Sequence, residues 1–145
     1  MNKRCRVLIC DDHAEFRELV KSVLKREEHI EVVGEAGNGK EVVDKALRLR
    51  PDVVLMDLSM PELSGLEATR RIRKASRHIR ILIVSAFGGD QTVVPCLSAG
   101  ASGYFQKYAP LTELCRAIDA VANGGTYISE DLFEKVSRAG GNSLP

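Results

Sequence analysis

Val53-Val54-Leu55-Met56-Asp57 is a short apolar run that ends in a carboxylate, and similar runs recur along the 145-residue chain. Polar side chains end or follow three other short runs. These are Val7–Cys10 before Asp11 and Asp12, Ile81–Val84 before Ser85, and Gly103–Gln106 before Lys107. Each run has the length of a β-strand, and segments with helical periodicity lie between them. The pattern therefore predicts strands that alternate with helices.

Apolar strands that alternate with helices are typical of a parallel sheet covered on both faces. Apolar residues at helical spacing predict the first crossover helix from about His13 to Arg26, and Glu31–Glu35 has the more polar character of an edge strand. Five such units with right-handed crossovers predict an α/β fold of the flavodoxin-like kind. This is a three-layer α/β/α sandwich with a five-stranded parallel sheet in the order 2-1-3-4-5.

Composition indicates one globular domain without a strong electrostatic field. The chain has 21 Lys and Arg against 20 Asp and Glu, so no global charge favours nucleic acid or an anionic membrane. The N-terminus lacks the apolar segment of a signal peptide, and no apolar run is long enough to span a bilayer. We therefore expect a cytoplasmic protein without a membrane partner. The four cysteines lack C-x-x-C spacing, and Cys10 and Cys115 fall on predicted buried faces.

The polar residues that follow the strands are expected to meet in one cleft. The carboxyl ends of parallel strands converge at one edge of the sheet, which brings together Asp11, Asp12, Asp57, Ser85 and Lys107. Each residue alone has an ordinary explanation, because Asp and Ser cap helices and a single Lys is commonly solvated. Their position at the same end of successive strands favours a shared function instead.

Three carboxylates in one cleft repel each other unless a cation lies between them. Oxygen ligands favour Mg²⁺, which commonly binds one or two carboxylates together with substrate phosphate. The pattern thus predicts a phosphoryl site in which Asp57 attacks phosphorus and forms an aspartyl phosphate. Lys107 would bind a phosphoryl oxygen as a cation, and Ser85 would donate a hydrogen bond to another.

Two other function classes use a similar fold. A Mg²⁺-dependent phosphatase or phosphotransferase would act through the same aspartate, but such enzymes usually place a second acid near the nucleophile, and here position 59 is Ser59. A nucleotide or flavin module would need a glycine-rich phosphate loop after the first strand, where this chain has Asp11 and Asp12. Both classes therefore fit these residues less well than a site that forms an aspartyl phosphate on Asp57.

With these residues assembled, the chain resembles the receiver domains of response regulators in two-component signalling. The resemblance runs from Val7 to Ser129. It rests on four ordered motifs, which are Leu8-Ile9-Cys10-Asp11-Asp12-His13, Val54-Leu55-Met56-Asp57-Leu58-Ser59-Met60-Pro61-Glu62-Leu63-Ser64-Gly65, Val84-Ser85-Ala86 and Gly100-Ala101-Ser102-Gly103-Tyr104-Phe105-Gln106-Lys107.

The resemblance implies a role for each site residue. Asp57 would be phosphorylated by a sensor histidine kinase, and Asp12, Asp57 and the Ser59 carbonyl would ligate Mg²⁺, with Asp11 helping through water. The switch residues would be Ser85 and Tyr104, together with Lys107. Ser85 would turn toward the phosphoryl group, Tyr104 would pack inward, and the face formed by helix four, strand five and helix five would change.

Three further segments are similar to receivers of the NarL/FixJ type, namely Val32–Gly39, Leu114–Ile118 and Gly124–Ser129. Receivers of this type normally precede a helix-turn-helix DNA-binding domain. We expect a receiver at residues 4–129, then a short helix from Glu130 to Ser137 and a linker or tail up to residue 145. DNA contact would need an effector domain that this sequence lacks, so the chain is either a stand-alone receiver or a piece of a longer protein. The family implies a homodimer through helices one and five or through helices four and five.

Two positions depart from the family pattern. Tyr108 follows Lys107 where many receivers have Pro, so a trans peptide is expected there. Pro95 falls inside the predicted fourth helix, which should either begin late or kink near that residue.

Overall fold

A computed structural model of the chain describes residues 3–86 and 90–129. Within these residues, strands and helices alternate from the first strand to the fifth helix, and a short strand follows. The elements are β1 (Cys5–Cys10), α1 (Ala14–Leu24), β2 (Ile30–Ala36), α2 (Gly39–Leu49), β3 (Val53–Met56), α3 (Gly65–Ala75), β4 (Arg80–Ser85), α4 (Asp90–Ser98), β5 (Gly103–Gln106), α5 (Thr112–Ala122) and β6 (Tyr127–Ile128).

The strands form one sheet in the order β2-β1-β3-β4-β5-β6, and every adjacent pair is parallel. This order confirms the predicted flavodoxin-like fold and the predicted order 2-1-3-4-5 of its first five strands. The sixth strand was not predicted. It has only two residues, and it pairs with β5 through Gly103 opposite Tyr127 and Tyr104 opposite Ile128. A run this short has no periodicity that could identify it from sequence.

Alternate residues of each strand face two separate hydrophobic cores, as the pleat of a strand requires. One core contains Ile9, Leu55 and Phe105 and packs against α1 and α5. The other contains Leu8, Met56 and Tyr104 and packs against α2, α3 and α4. Because both faces of the sheet are covered, the central strands β3 and β4 are almost entirely buried. This arrangement explains why their sequences are continuously apolar.

Helix boundaries lie close to the predicted ones. The first helix was predicted from about His13 to Arg26 and occupies Ala14–Leu24. The fourth helix contains Pro95 in its interior, so this helix lacks one backbone donor. The Lys107–Tyr108 peptide is trans, since the described residues contain no cis peptide bond. The predicted helix from Glu130 to Ser137 and the tail after it lie outside the described residues.

None of the helices in residues 3–86 and 90–129 combines the length and the apolar character that crossing a bilayer requires. Cys10 and Cys115 are both buried, as their predicted faces indicated.

Candidate functional site

Carboxylates from the ends of β1 and β3 lie side by side at the carboxyl edge of the sheet. The backbone holds them there, because the Asp57 N–H donates to the Cys10 carbonyl at 3.0 Å and the Asp11 N–H donates to the Ala36 carbonyl at 3.1 Å. Asp11 and Asp57 are buried, whereas Asp12 is partly exposed. One ligand atom from each of Asp11, Asp12, His13 and Asp57 lies within 4.8 Å of all the others.

Burial is the main influence on the Asp57 carboxyl group. Burial first, and then the nearby carboxylates of Asp11 and Asp12, raise the pKa of Asp57 to about 6. The positive charge of Lys107 and a hydrogen bond from the Ser59 backbone N–H oppose this increase. The Asp57 carboxylate is therefore a destabilised anion that gains from any cation entering the cleft.

Lys107 reaches the cleft from the end of β5. Its backbone N–H donates to the Ser85 carbonyl at 2.7 Å, which ties the ends of β4 and β5 together. The Lys107 Nζ donates to Asp11 Oδ2 at 2.8 Å and lies 4.4 Å above the centre of the Phe16 ring. The ammonium group is thus positioned by a carboxylate and by an aromatic face.

Asp11 has hydrogen-bond partners on both carboxylate oxygens. Oδ2 accepts from Lys107, while Oδ1 accepts from the His13 backbone N–H at 2.8 Å and lies 3.1 Å from His13 Nδ1. The Arg17 guanidinium donates to the Asp11 carbonyl at 2.5 Å and also pairs with Glu35 of β2. These contacts connect the acidic loop to α1 and β2.

Ser85 and Tyr104 are both fully buried on neighbouring strands. A side-chain hydrogen bond links them, and burial raises the pKa of the Tyr104 hydroxyl while this hydrogen bond opposes the increase. The Tyr104 ring belongs to the same core as Val93 and Cys96 of α4. Ser85 is therefore hydrogen-bonded to a side chain that shares its hydrophobic core with α4.

The loop after β3 is constrained by the start of α3. The Ser64 side chain caps α3 by accepting from the Glu67 N–H at 3.2 Å, and Gly65 N–H donates to the Leu58 carbonyl at 3.0 Å. A Cβ atom at Gly65 would overlap the Asp57 carbonyl oxygen. Ser59 lies exposed in this loop.

The structure brings the sequence-predicted residues Asp11, Asp12, Asp57 and Lys107 into one cleft and places Ser85 at the end of the adjacent strand. The carboxylate oxygens fit a hard divalent cation such as Mg²⁺, which Asp11, Asp12 and Asp57 would hold. Sequence reasoning assigned no site role to three further residues that contact the cleft. These are His13, Phe16 and Arg17.

Phe16 is one of several apolar residues at helical spacing, so the sequence predicts a core residue there. Arg17 does not differ in sequence from other charged residues on a helix surface. The position of His13 directly after Asp11 and Asp12 was the one available signal.

Comparisons with known proteins agree with this geometry. The sequence profile of the response regulator receiver domain matches residues 7–119. The chain is 39% identical over 132 residues to the response regulator GacA of Pseudomonas viridiflava, covering 91% of this chain and 62% of the relative. It is 38% identical over 125 residues to the transcriptional regulatory protein DegU of Brevibacillus brevis, covering 86% and 53%. The chain thus spans little more than half the length of these relatives.

Among solved structures, a two-component response regulator of the LuxR family from Aurantimonas sp. SI85-9A1 superimposes with a TM-score of 0.90 at 34% identity, covering 94% of this chain and 98% of that one. The similarity therefore extends over nearly the whole of both chains.

Proposed function

We propose a function from the premise that this chain belongs to the response regulator receiver domain family. In this proposal Asp57 accepts a phosphoryl group, and the modification switches the domain between two conformations. The observation that carries the proposal is the burial of the Asp57 carboxylate beside Asp11, Asp12 and Lys107. A buried carboxylate at the end of a strand, beside two other carboxylates, gains free energy when its charge is neutralised.

The phosphoryl donor is a phosphohistidine on a sensor histidine kinase. A carboxylate oxygen of Asp57 attacks phosphorus, so that an O–P bond forms while the N–P bond breaks and its electron pair leaves with the imidazole nitrogen. Lys107 pairs with one phosphoryl oxygen, for which its Nζ moves from Asp11, and Ser85 donates to another. These groups position the phosphoryl group and neutralise it.

Mg²⁺ is the proposed cofactor, and it would supply the positive charge that the crowded carboxylates and the incoming phosphoryl oxygens require. Asp12, Asp57 and the Ser59 carbonyl would hold it directly, and Asp11 would do so through water. The donor chemistry of the cleft supports this assignment, since three of its four potential ligands are carboxylates. The domain catalyses only the transfer of the phosphoryl group to its own Asp57 and the hydrolysis of the resulting aspartyl phosphate.

Phosphorylation would reach the output surface through Ser85 and Tyr104. Movement of Ser85 toward the phosphoryl group breaks or changes its hydrogen bond to Tyr104, whose ring lies in the same hydrophobic core as Val93 and Cys96 of α4. This contact gives the switch a direct route to α4 and β5. The population of the two states then follows the charge added at Asp57.

We assign the receiver to residues 4–129 and its connection to an output to residues 130–145. The output is transcription through a helix-turn-helix domain beyond this sequence, in the cytoplasm, with a homodimer as the active assembly. The name of the relative DegU, a transcriptional regulatory protein, supports this assignment.

The test is to incubate the purified chain with Mg²⁺ and acetyl phosphate and to record its intact mass and its sedimentation. We expect one acid-labile phosphoryl group that the Asp57→Asn variant does not acquire, and a shift toward dimer that depends on protein concentration. An unchanged mass in the wild-type chain, with acetyl phosphate and with a kinase, would exclude phosphorylation at this site. Continued release of inorganic phosphate from small phosphate esters would instead indicate an enzyme.

A further inference from the structure

His13 occupies the N-cap position of α1 without capping the helix through its side chain. In α2 and α3 the corresponding residues, Asn38 and Ser64, accept hydrogen bonds from the third residue of the helix. The His13 imidazole faces the acidic cleft instead, with Nδ1 3.1 Å from Asp11 Oδ1 and 3.0 Å from Asp12 Oδ1. Its side chain is therefore available for a role in the cleft.

The distances around His13 suit a coordination sphere. An octahedral ion with bonds of about 2.1 Å has adjacent ligands about 3.0 Å apart and opposite ligands about 4.2 Å apart. The 3.0 Å between His13 Nδ1 and Asp12 Oδ1 matches an adjacent pair. One possible ligand atom from each of Asp11, Asp12, His13 and Asp57 lies within 4.8 Å of the others, which is close to the spacing of opposite ligands.

A nitrogen ligand changes which ions the cleft prefers. Carboxylates and water suit Mg²⁺, whereas imidazole suits the later first-row ions, whose affinity for mixed ligands also rises along the series. We propose that His13 is a fourth protein ligand and that it makes this cleft bind a late first-row divalent cation, such as Ni²⁺ or Co²⁺, in competition with Mg²⁺. This inference rests on the proposed function only in using the same carboxylates.

The simpler interpretation is that His13 Nδ1–H donates hydrogen bonds to Asp11 and Asp12 and has no role as a ligand. The two interpretations predict opposite results. If the imidazole only occupies the place of a cation, its removal frees the carboxylates and strengthens the binding of Mg²⁺ and Ni²⁺ alike. If it is a ligand, its removal weakens the binding of Ni²⁺ and leaves that of Mg²⁺ nearly unchanged, because Mg²⁺ depends on the oxygen ligands.

The experiment is calorimetric titration of the whole chain, without a histidine tag, with Mg²⁺ and separately with Ni²⁺ at pH 8, where free imidazole is neutral. The variant is His13→Gln, and the matched control is His78→Gln, which changes an exposed histidine in the loop between α3 and β4. We expect the dissociation constant for Ni²⁺ to rise at least about tenfold in His13→Gln, with a change below about twofold for Mg²⁺.

A second readout reports the ligand itself. The visible absorption of bound Co²⁺ depends on the ligands of the ion, so the wild-type and His78→Gln spectra should coincide and the His13→Gln spectrum should differ from both. Unchanged Ni²⁺ affinity in His13→Gln, or a parallel change for both cations, would overturn the inference. A wild-type chain that binds no Mg²⁺ and accepts no phosphate contradicts the proposed function instead, and the Ni²⁺ comparison remains informative about His13.

Discussion

Lys107 Nζ lies 2.8 Å from Asp11 Oδ2, although these residues end strands that are not neighbours. β5 and β1 are separated in the sheet by β4 and β3, whose ends carry Ser85 and Asp57. The ion pair therefore crosses the carboxyl edge of the sheet at the site itself. Because both groups are largely buried, the pair is screened less than a surface ion pair. It holds a cation beside Asp57 before any ligand arrives.

Substitution of Lys107 should change both the acidity and the reactivity of Asp57. Lys107→Gln removes the charge that lowers the Asp57 pKa, so this pKa should rise above its wild-type value of about 6. A titration of the Asp57 carboxyl carbon by NMR measures the change. The rate of phosphorylation by acetyl phosphate should fall by about a hundredfold, as for removal of other groups that stabilise developing charge. Lys25→Gln, at the exposed end of α1, is the control and should change neither quantity.

Phe16 and Lys107 should be energetically coupled. The Lys107 ammonium lies 4.4 Å above the Phe16 ring, and contacts of this type contribute about 0.5–1 kcal/mol when partly exposed. Phe16→Leu keeps an apolar side chain but removes the aromatic face. Urea unfolding of Phe16→Leu, Lys107→Gln and the double variant should give a coupling free energy of about 0.5–1 kcal/mol. Losses that add without coupling would show that the ring only fills space.

Most of the fold followed from strand length and helical periodicity. The central strands β3 and β4 are covered on both faces, so their sequences are apolar throughout and easily recognised. The two-residue strand β6 has no comparable signal, because its pairing with β5 depends on where α5 ends. The first residue of α1 was also displaced from the prediction, since His13 proved to be its N-cap.

The grouping of Asp11, Asp12, Asp57 and Lys107 was predictable because parallel topology brings strand ends together. The pairing within the group was not. Sequence offered no reason for Lys107 to contact Asp11 and Phe16, since both contacts depend on the side-chain geometry of α1 and β5. Arg17 was missed for a similar reason. It donates a hydrogen bond to the backbone carbonyl of Asp11, and every residue has such a carbonyl, so the sequence does not indicate which one a side chain will contact.

The raised pKa of Asp57 makes stability depend on pH. The pKa of the Asp57 carboxyl group is about 6 in the fold and has its ordinary value of 3.8 in the unfolded chain, so the unfolded state ionises first as the pH rises. Stability from this group is thus present at low pH and is lost as pH rises through 6. Asp57→Asn avoids that loss and should increase the free energy of unfolding at pH 7.5 by on the order of 2 kcal/mol.

Urea unfolding in the presence of a chelator measures this effect. The stabilisation should shrink as the pH is lowered toward 4. At that pH the folded wild type carries a protonated Asp57, which is as neutral as the Asn side chain, and the unfolded wild type is partly protonated as well. Asp44→Asn, which changes an exposed carboxylate on α2, should leave the unfolding free energy within about 0.5 kcal/mol at both pH values. An Asp57→Asn variant that is no more stable than wild type at pH 7.5 would mean that the buried carboxylate is well compensated.

The absence of a side chain at Gly65 should be essential for the shape of the proposed phosphorylation site. Gly65→Ala places a Cβ atom onto the Asp57 carbonyl oxygen, so either α3 or the end of β3 must move. We expect a loss of about 2–3 kcal/mol in the free energy of unfolding, together with weaker Mg²⁺ binding, because the displaced backbone carries Asp57 itself.

The control is Gly37→Ala, whose Cβ would lie 3.7 Å from the Arg17 guanidinium, which is an ordinary contact. That variant should unfold within about 0.5 kcal/mol of wild type. Equal losses in the two variants would show that glycine flexibility, rather than the close approach of α3 to Asp57, is what the site requires.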